Sequence, residues 1–284
     1  MKEYTERTMK LFPNVSDILT PEEGNKLILD SLNGNPHMPF SAGRAGSTET
    51  NGILHFLAKK PIPADMLCTF SGVNLPTQAE YQKFALHYIQ CIKNIDLMGL
   101  WRQEENYYIQ TGIVKNKKTL LRGIEPYYFE SPWSAGLEGK KVLIIHPFVE
   151  SMKKQMEKRE KLWPNTNVLP EFDPLYLKSH QSLGDKDSNW FDNLNNMKDS
   201  MLKADYDVAL IGCGAYGLPL ASHAKNMGKK AIHVGGALQI LFGIKGKRWD
   251  THDIISKFYN EHWTRPLEEE KSKNFQMVEG GCYW

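Results

Sequence analysis

The stretch "IGCGAYG" at residues 211–217 sets Gly212, Gly214 and Gly217 in the spacing G-x-G-x-x-G. Glycines at a strand-to-helix turn leave backbone N–H groups bare, and the head of the next helix adds a positive dipole end, so such a turn can hold phosphate. A dinucleotide loop asks for more: a carboxylate about 20 residues on, at the end of the next strand, to bind the ribose. Here the next apolar run, "KKAIHVGG", closes on Val234, Gly235 and Gly236 without an acid, and the following "ALQILFG" holds no arginine for a 2′-phosphate. A nicotinamide-linked, sugar-modifying oxidoreductase is therefore the weaker reading of the loop. Two consecutive glycine turns, "GCGAYG" and "VGGALQ", fit a diphosphate or sugar site instead. Tight packing between elements is the bland alternative.

A second constellation lies in "SAGRAGSTETNGI", where Arg44, Gly46, Ser47 and Glu49 meet at a loop-to-helix transition. A guanidinium suits a phosphate, and a nearby carboxylate suits a metal or a hydroxyl. The plainer reading is an exposed turn in which Thr48 caps the helix. His146 closes the apolar run "VLII", at the strand end where sites collect, and with Glu49 it is the candidate catalytic base; the plainer reading is a structural histidine before Pro147. His180 and Gln181 are weaker candidates on a polar loop that reads as surface, and His233 reads as a structural histidine within a strand. Tyr216 and Trp249 offer aromatic faces to a sugar or base, and Gln239 a hydrogen bond to a sugar hydroxyl. Lys245, Lys247 and Arg248 in "KGKRW" supply positive charge for a departing diphosphate.

The segment "GRAGSTE" resembles the R-x-G-D-G-E segment of the GT-D fold glycosyltransferases, bacterial enzymes that use nucleotide-sugar donors to build surface glycans. "KKVLIIHPFVESMKKQMEKR" and the long block "DYDVALIGCGAYGLPLASHAKNMGKKAIHVGGALQILFGIKGKRW" are similar to that family's layout, so the resemblance spans roughly residues 33–57 and 138–250. By position it implies a donor-binding role for Arg44 and a metal-binding role for Glu49, toward manganese or magnesium on the donor diphosphate. Ser47 stands where the family has Asp, and a hydroxyl is a much weaker ligand for a hard cation than a carboxylate. The resemblance implies sugar transfer from a nucleotide-diphosphate donor to a glycan or lipid-linked acceptor, in capsule, lipopolysaccharide or other surface-polysaccharide assembly. Ser47 keeps a non-catalytic nucleotide-sugar-binding protein in view.

The elements that must position these residues follow from periodicity. "LTPEEGNKLILDSLNG" predicts a helix with Thr20 as N-cap, Pro21 in the first turn and Glu23 closing a capping box. A second helix starts near Glu49 or Thr50, and a longer one covers 79–98, with Tyr81, Phe84, Tyr88 and Ile92 at helical spacing. "ENYYIQTGIV" reads as a strand and "LEGKKVLIIHPF" as a stronger one. Helical "SMKKQMEKREKLW" and "NWFDNLNNMKDSML" then precede the strand "YDVALIGCG", the helix "LPLASHAKNMG", the strand "KKAIHVGG" and the helix "ALQILFG". This alternation predicts a doubly wound α/β fold, with a mainly parallel sheet, helices on both faces and a more helical N-terminal part. Residues 1–137 form that helical part with the "GRAGSTE" loop, and residues 138–284 the nucleotide-sugar-binding part. The two are either separate or one continuous domain.

The chain's 284 residues suffice for a substantial core, and 41% hydrophobic with 24% charged residues is the composition of a water-soluble globule. A net charge of +2, with both signs mixed along the chain, gives no reason to expect a nucleic-acid partner. The 4 cysteines form no C-x-x-C pair, which points to buried thiols in a reducing compartment and away from zinc. No apolar run is long enough to cross a bilayer. The expectation is a cytoplasmic protein, able to visit the inner face of the cell membrane peripherally.

Overall fold

The computed structural model describes residues 1–278 and 280–284. Among them, eight strands form one sheet: β1 (Ile18–Leu19), β2 (Phe40–Gly43), β3 (Leu97–Leu100), β4 (Lys117–Leu120), β5 (Lys141–His146), β6 (Asp173–Lys178), β7 (Val208–Ile211) and β8 (Lys230–His233). Their spatial order is β1-β4-β3-β2-β8-β7-β5-β6, and every neighbouring pair is parallel. Eleven helices accompany them: α1 (Lys2–Met9), α2 (Pro21–Asn33), α3 (Ser47–Leu57), α4 (Ala64–Ser71), α5 (Gln78–Asn94), α6 (Asn106–Gln110), α7 (Val149–Met156), α8 (Arg159–Leu162), α9 (Trp190–Lys203), α10 (Gly217–Asn226) and α11 (Leu238–Leu241).

Both faces of the sheet are covered, as the apolar strands require. Leu143, Ile145, Ala209 and Ile211 point to one face, where Ile53 of α3, Phe84 and Tyr88 of α5, Met197 of α9 and Leu218 of α10 meet them. The alternating Val142, Ile144, Val208 and Leu210 point to the other, against Ile28 and Leu32 of α2, Met152 of α7 and Leu238 of α11. Each such Val, Leu, Ile, Phe or Met side chain, fully buried, contributes about 1.5–3 kcal/mol relative to exposure. The stripe Trp190, Leu194, Met197 and Met201 forms the buried side of α9. The capping box at α2 is also present: Thr20 Oγ1 accepts from the Glu23 backbone N–H at 3.2 Å, and the Glu23 carboxylate accepts from the Thr20 N–H at 2.8 Å.

β2 pairs with β8, so strands from residues 1–137 and 138–284 share one sheet. β2 lies in "NPHMPFSAGRAGSTE", which reads from the sequence as a loop or short strand, and four strands, β1, β3, β4 and β6, were not anticipated. β3 follows α5 closely: the helix expected over 79–98 stops at Asn94, where Ile95 turns extended, and Leu97 and Met98 belong to the strand instead. β6 lies at the sheet edge, where a strand tolerates its Pro174 and its half-exposed side chains.

"ENYYIQTGIV", expected as a strand, is instead the short helix α6. The buried Glu105 carboxylate accepts the Trp101 and Arg102 backbone N–H groups at 2.7 and 2.8 Å, and this tight turn launches the helix. Among the described residues, no helix is long and apolar enough to cross a membrane.

Candidate functional site

Because all strands run the same way, their carboxyl ends share one edge of the sheet. The order reverses between β5, whose chain continues outward to β6, and β7, whose chain continues to β8. Open α/β sheets bind ligands at such a reversal. A cavity of about 450 Å³ lies there, lined by the segments that follow β2, β3, β5, β6, β7 and β8 and by Tyr283 and Trp284.

The cavity gathers Arg44, Gly46, Ser47, Glu49, His146, Gly212, Gly214, Tyr216, Gly236, Gln239 and Arg248 from the sequence-level candidates. Gly235 stands beside it, against the Arg44 guanidinium. Lys245 and Lys247 are not among the described lining residues. Lys245 is drawn to the Tyr259 ring, 5.3 Å from its centroid, and Lys247 is exposed. Trp249 is buried beside Tyr283 and also stays out of the lining.

The glycine pattern has separate local causes. A Cβ on Gly212 would lie 2.7 Å from both the Gly235 carbonyl oxygen and the His146 ring, and one on Gly217 would enter the His233 imidazole. Gly214 differs: its φ of +56° favours glycine, and nothing lies within 4 Å of where a Cβ would stand. Gly212 thus lets the end of β7 pack between β5 and β8, Gly217 lets α10 close on His233 of β8, and Gly214 leaves its backbone open to the cavity.

Helix ends at this edge are treated unequally. The head of α7 is occupied by buried Glu270, whose carboxylate accepts from the Glu150 and Ser151 backbone N–H groups at 2.7 and 3.1 Å. The heads of α3 and α10 have no side-chain cap and border the cavity through Gly46, Ser47, Gly214 and Tyr216. An uncapped helix head facing a cavity favours an anion by about 0.3–1 kcal/mol, more when dry.

Arg44 is held from behind. Its Nη1 donates to the Ala45 carbonyl at 3.3 Å, and its guanidinium lies 5.4 Å from the Trp101 ring centroid. Trp101 Nε1 donates to the same carbonyl at 3.1 Å, while Glu105 fixes the Trp101 backbone. Arg248 also lines the cavity, 4.9 Å from the Tyr283 ring centroid. Glu49 is the single acidic side chain among the described lining residues and is 4% exposed. Its Oε2 packs against Gly46, where a Cβ would overlap it. Ser47 is exposed, and no group of three or more His, Cys, Asp or Glu able to hold a metal occurs among the described residues.

Two buried histidines face the cavity in opposite protonation patterns. His146 Nδ1 accepts from the Phe148 backbone N–H at 3.0 Å, so the neutral ring carries its proton on Nε2. His233 Nδ1 lies 3.2 Å from the Ile211 carbonyl, which can only accept, so this ring carries its proton on Nδ1 and leaves Nε2 bare. Burial pushes His146 down to about 3; burial, aided by the Arg44 charge, does the same to His233. Both are neutral near pH 7.

Tyr216 lines the cavity through a ring already stacked on Trp190, 9° from parallel, with its hydroxyl 2.9 Å from Ser182 Oγ. Gln239 gives its amide N–H groups to the Ile244, Lys245 and Tyr283 carbonyls, leaving Oε1 buried without a protein partner. Trp101, Phe148, Tyr283 and Trp284 escaped the sequence reading, since only the fold brings these distant aromatics to one rim. The one local signal was an aromatic–arginine pair, "WR", directly after β3. No family model matches the chain, and neither a curated protein nor a solved structure matches it.

Proposed function

We propose that the cavity binds a nucleotide-diphosphate sugar and that the protein transfers the sugar to a glycan or lipid-linked acceptor, as in bacterial surface-polysaccharide assembly. The observation that carries this reading is the convergence of Arg44, Arg248 and the uncapped heads of α3 and α10 on a cavity with one described acidic side chain. In glycosyl transfer, negative charge grows on the departing diphosphate, and positive charge placed in advance to receive it is the strongest stabilisation a protein can offer that step. Arg44 and Arg248 fill that role.

A divalent cation is a poor fit. Glu49 alone, packed on Gly46, does not make the oxygen cage a hard dication needs. The reading therefore assigns charge neutralisation to the two arginines and the helix heads. An adjoining polar cleft of about 890 Å³ shares Ser179, His180, Gln181 and Leu183 with the cavity and gives the acceptor its way in.

The test is calorimetric titration with UDP, GDP, CMP and NAD(P), each with and without manganese. Nucleoside-diphosphate binding that does not need metal and falls about 10-fold or more in Arg44→Gln and in Arg248→Gln is the expected result, since one charge-assisted hydrogen bond is worth about 1.5–3 kcal/mol. Binding of NAD(P) alone would overturn the reading in favour of an oxidoreductase. Binding without turnover of any sugar nucleotide would leave a nucleotide-sugar-binding protein.

A further inference from the structure

The two cavity histidines present ring atoms of opposite hydrogen-bonding character. His146 offers a fixed N–H, because the Phe148 N–H occupies its Nδ1. His233 offers a fixed lone pair, because its Nδ1–H is given to the Ile211 carbonyl. Among the described residues, these bonds engage Nδ1 on each ring and leave Nε2 to the cavity that both rings line. The rings are also closely packed: Gly212 lies against His146, and Gly217, the first residue of α10, against His233. A fixed N–H can face only an acceptor, such as a phosphate oxygen, and a bare nitrogen only a donor, such as a hydroxyl.

We propose that His233 Nε2 is the base that takes the acceptor hydroxyl proton, and that His146 Nε2–H is a hydrogen-bond donor to the departing diphosphate. The proposal rests on the transfer reading above. In the step, the acceptor oxygen bonds to the anomeric carbon as the bond from that carbon to the diphosphate oxygen breaks. The bonding pair leaves with the diphosphate, where the His146 N–H and the two arginines receive the charge. The hydroxyl proton passes to His233, and the Ile211 carbonyl steadies the imidazolium through Nδ1–H. Burial first, and the Arg44 charge second, oppose that charging; a bound diphosphate offsets the Arg44 part and so raises the basicity of His233.

The experiment is two-bond ¹H–¹⁵N NMR on the full chain labelled at histidine, with His146→Gln and His233→Asn used to assign the signals. The expected spectrum shows His146 protonated at Nε2 and His233 at Nδ1, and UDP moves the His146 signal. Kinetically, His233→Asn lowers kcat by about 10²–10⁴-fold while UDP affinity stays within about threefold. Asn can still donate to the Ile211 carbonyl, which guards the fold. The same tautomer on both rings, or full kcat in His233→Asn, overturns the assignment. Opposite tautomers in a protein that neither binds UDP nor turns over a sugar nucleotide would instead sink the transfer reading itself.

Discussion

Arg44 and Gly235 fit each other across the β2–β8 pair: a Cβ on Gly235 would lie 2.7 Å from Arg44 Nη2 and 2.8 Å from Nε. Gly235 also holds φ at +76°, a conformation L side chains avoid. Gly235→Ala therefore strains its backbone and displaces the guanidinium together. The expected result is a stability loss of about 1–3 kcal/mol in denaturant unfolding and a nucleoside-diphosphate affinity as low as that of Arg44→Gln. Unchanged affinity would show that Arg44 does not reach the ligand from its present position.

Glu270 anchors the segment after the last helix to the head of α7. It is 3% exposed, and its carboxylate accepts from two backbone N–H groups and from the Ser151 hydroxyl. Glu270→Ala leaves these donors buried and unpaired, for an expected loss of about 2–4 kcal/mol. Glu270→Gln keeps one acceptor and loses less. Ordered urea midpoints, wild type above Gln above Ala, would support the cap, and equal midpoints for Gln and Ala would refute it.

The sheet's centre was legible because strands buried on both faces leave short apolar runs, as in β5, β7 and β8. β4 hid behind its lysines: Lys118 is 3% exposed and pairs with Asp17 at 2.6 Å. Of the site, the glycine turns, Arg44, Glu49 and His146 could be read because strand ends collect sites. His233 reads from its sequence context as merely structural. The role proposed for it depends on which nitrogen the Ile211 carbonyl engages, and no sequence pattern encodes that.

Tyr216 separates packing from binding. Its ring lies against Trp190, and its hydroxyl meets Ser182 and the Asn193 amide. Tyr216→Phe leaves the stack and removes only those hydrogen bonds. The expected cost is about 1 kcal/mol of stability with ligand affinity unchanged within about twofold. A larger affinity loss in the same titration would return Tyr216 to the ligand-binding residues.

Acid should act on this fold in two stages. His146 and His233 fall from 6.5 to about 3 on folding, so below pH 6.5 the unfolded chain binds protons that the folded one refuses, and stability drops as pH falls. Glu105 and Glu125 rise from 4.5 to about 7, chiefly by burial, so between those values the folded chain holds protons that the unfolded one lacks, and stability drops as pH rises. From 4.5 to 6.5 the two pairs cancel. What remains is the slope of the other histidines lowered by burial, His87 (to about 4), His223 and His252, so stability also falls as pH falls across this window, by up to about 1.4 kcal/mol per pH unit from His87. Below 4.5 Glu105 and Glu125 are protonated in both states, their opposition ends, and His146 and His233 together remove about 2.7 kcal/mol per pH unit, at about 1.4 for each proton. Glu105→Gln deletes one opposing group and should steepen the slope between 4.5 and 6.5 by about 1.4 kcal/mol per unit, with stability rising toward pH 6.5. Urea unfolding at half-unit steps from pH 4 to 7.5 measures both slopes. A slope that Glu105→Gln leaves unchanged would mean that Glu105 stays ionised in the folded protein.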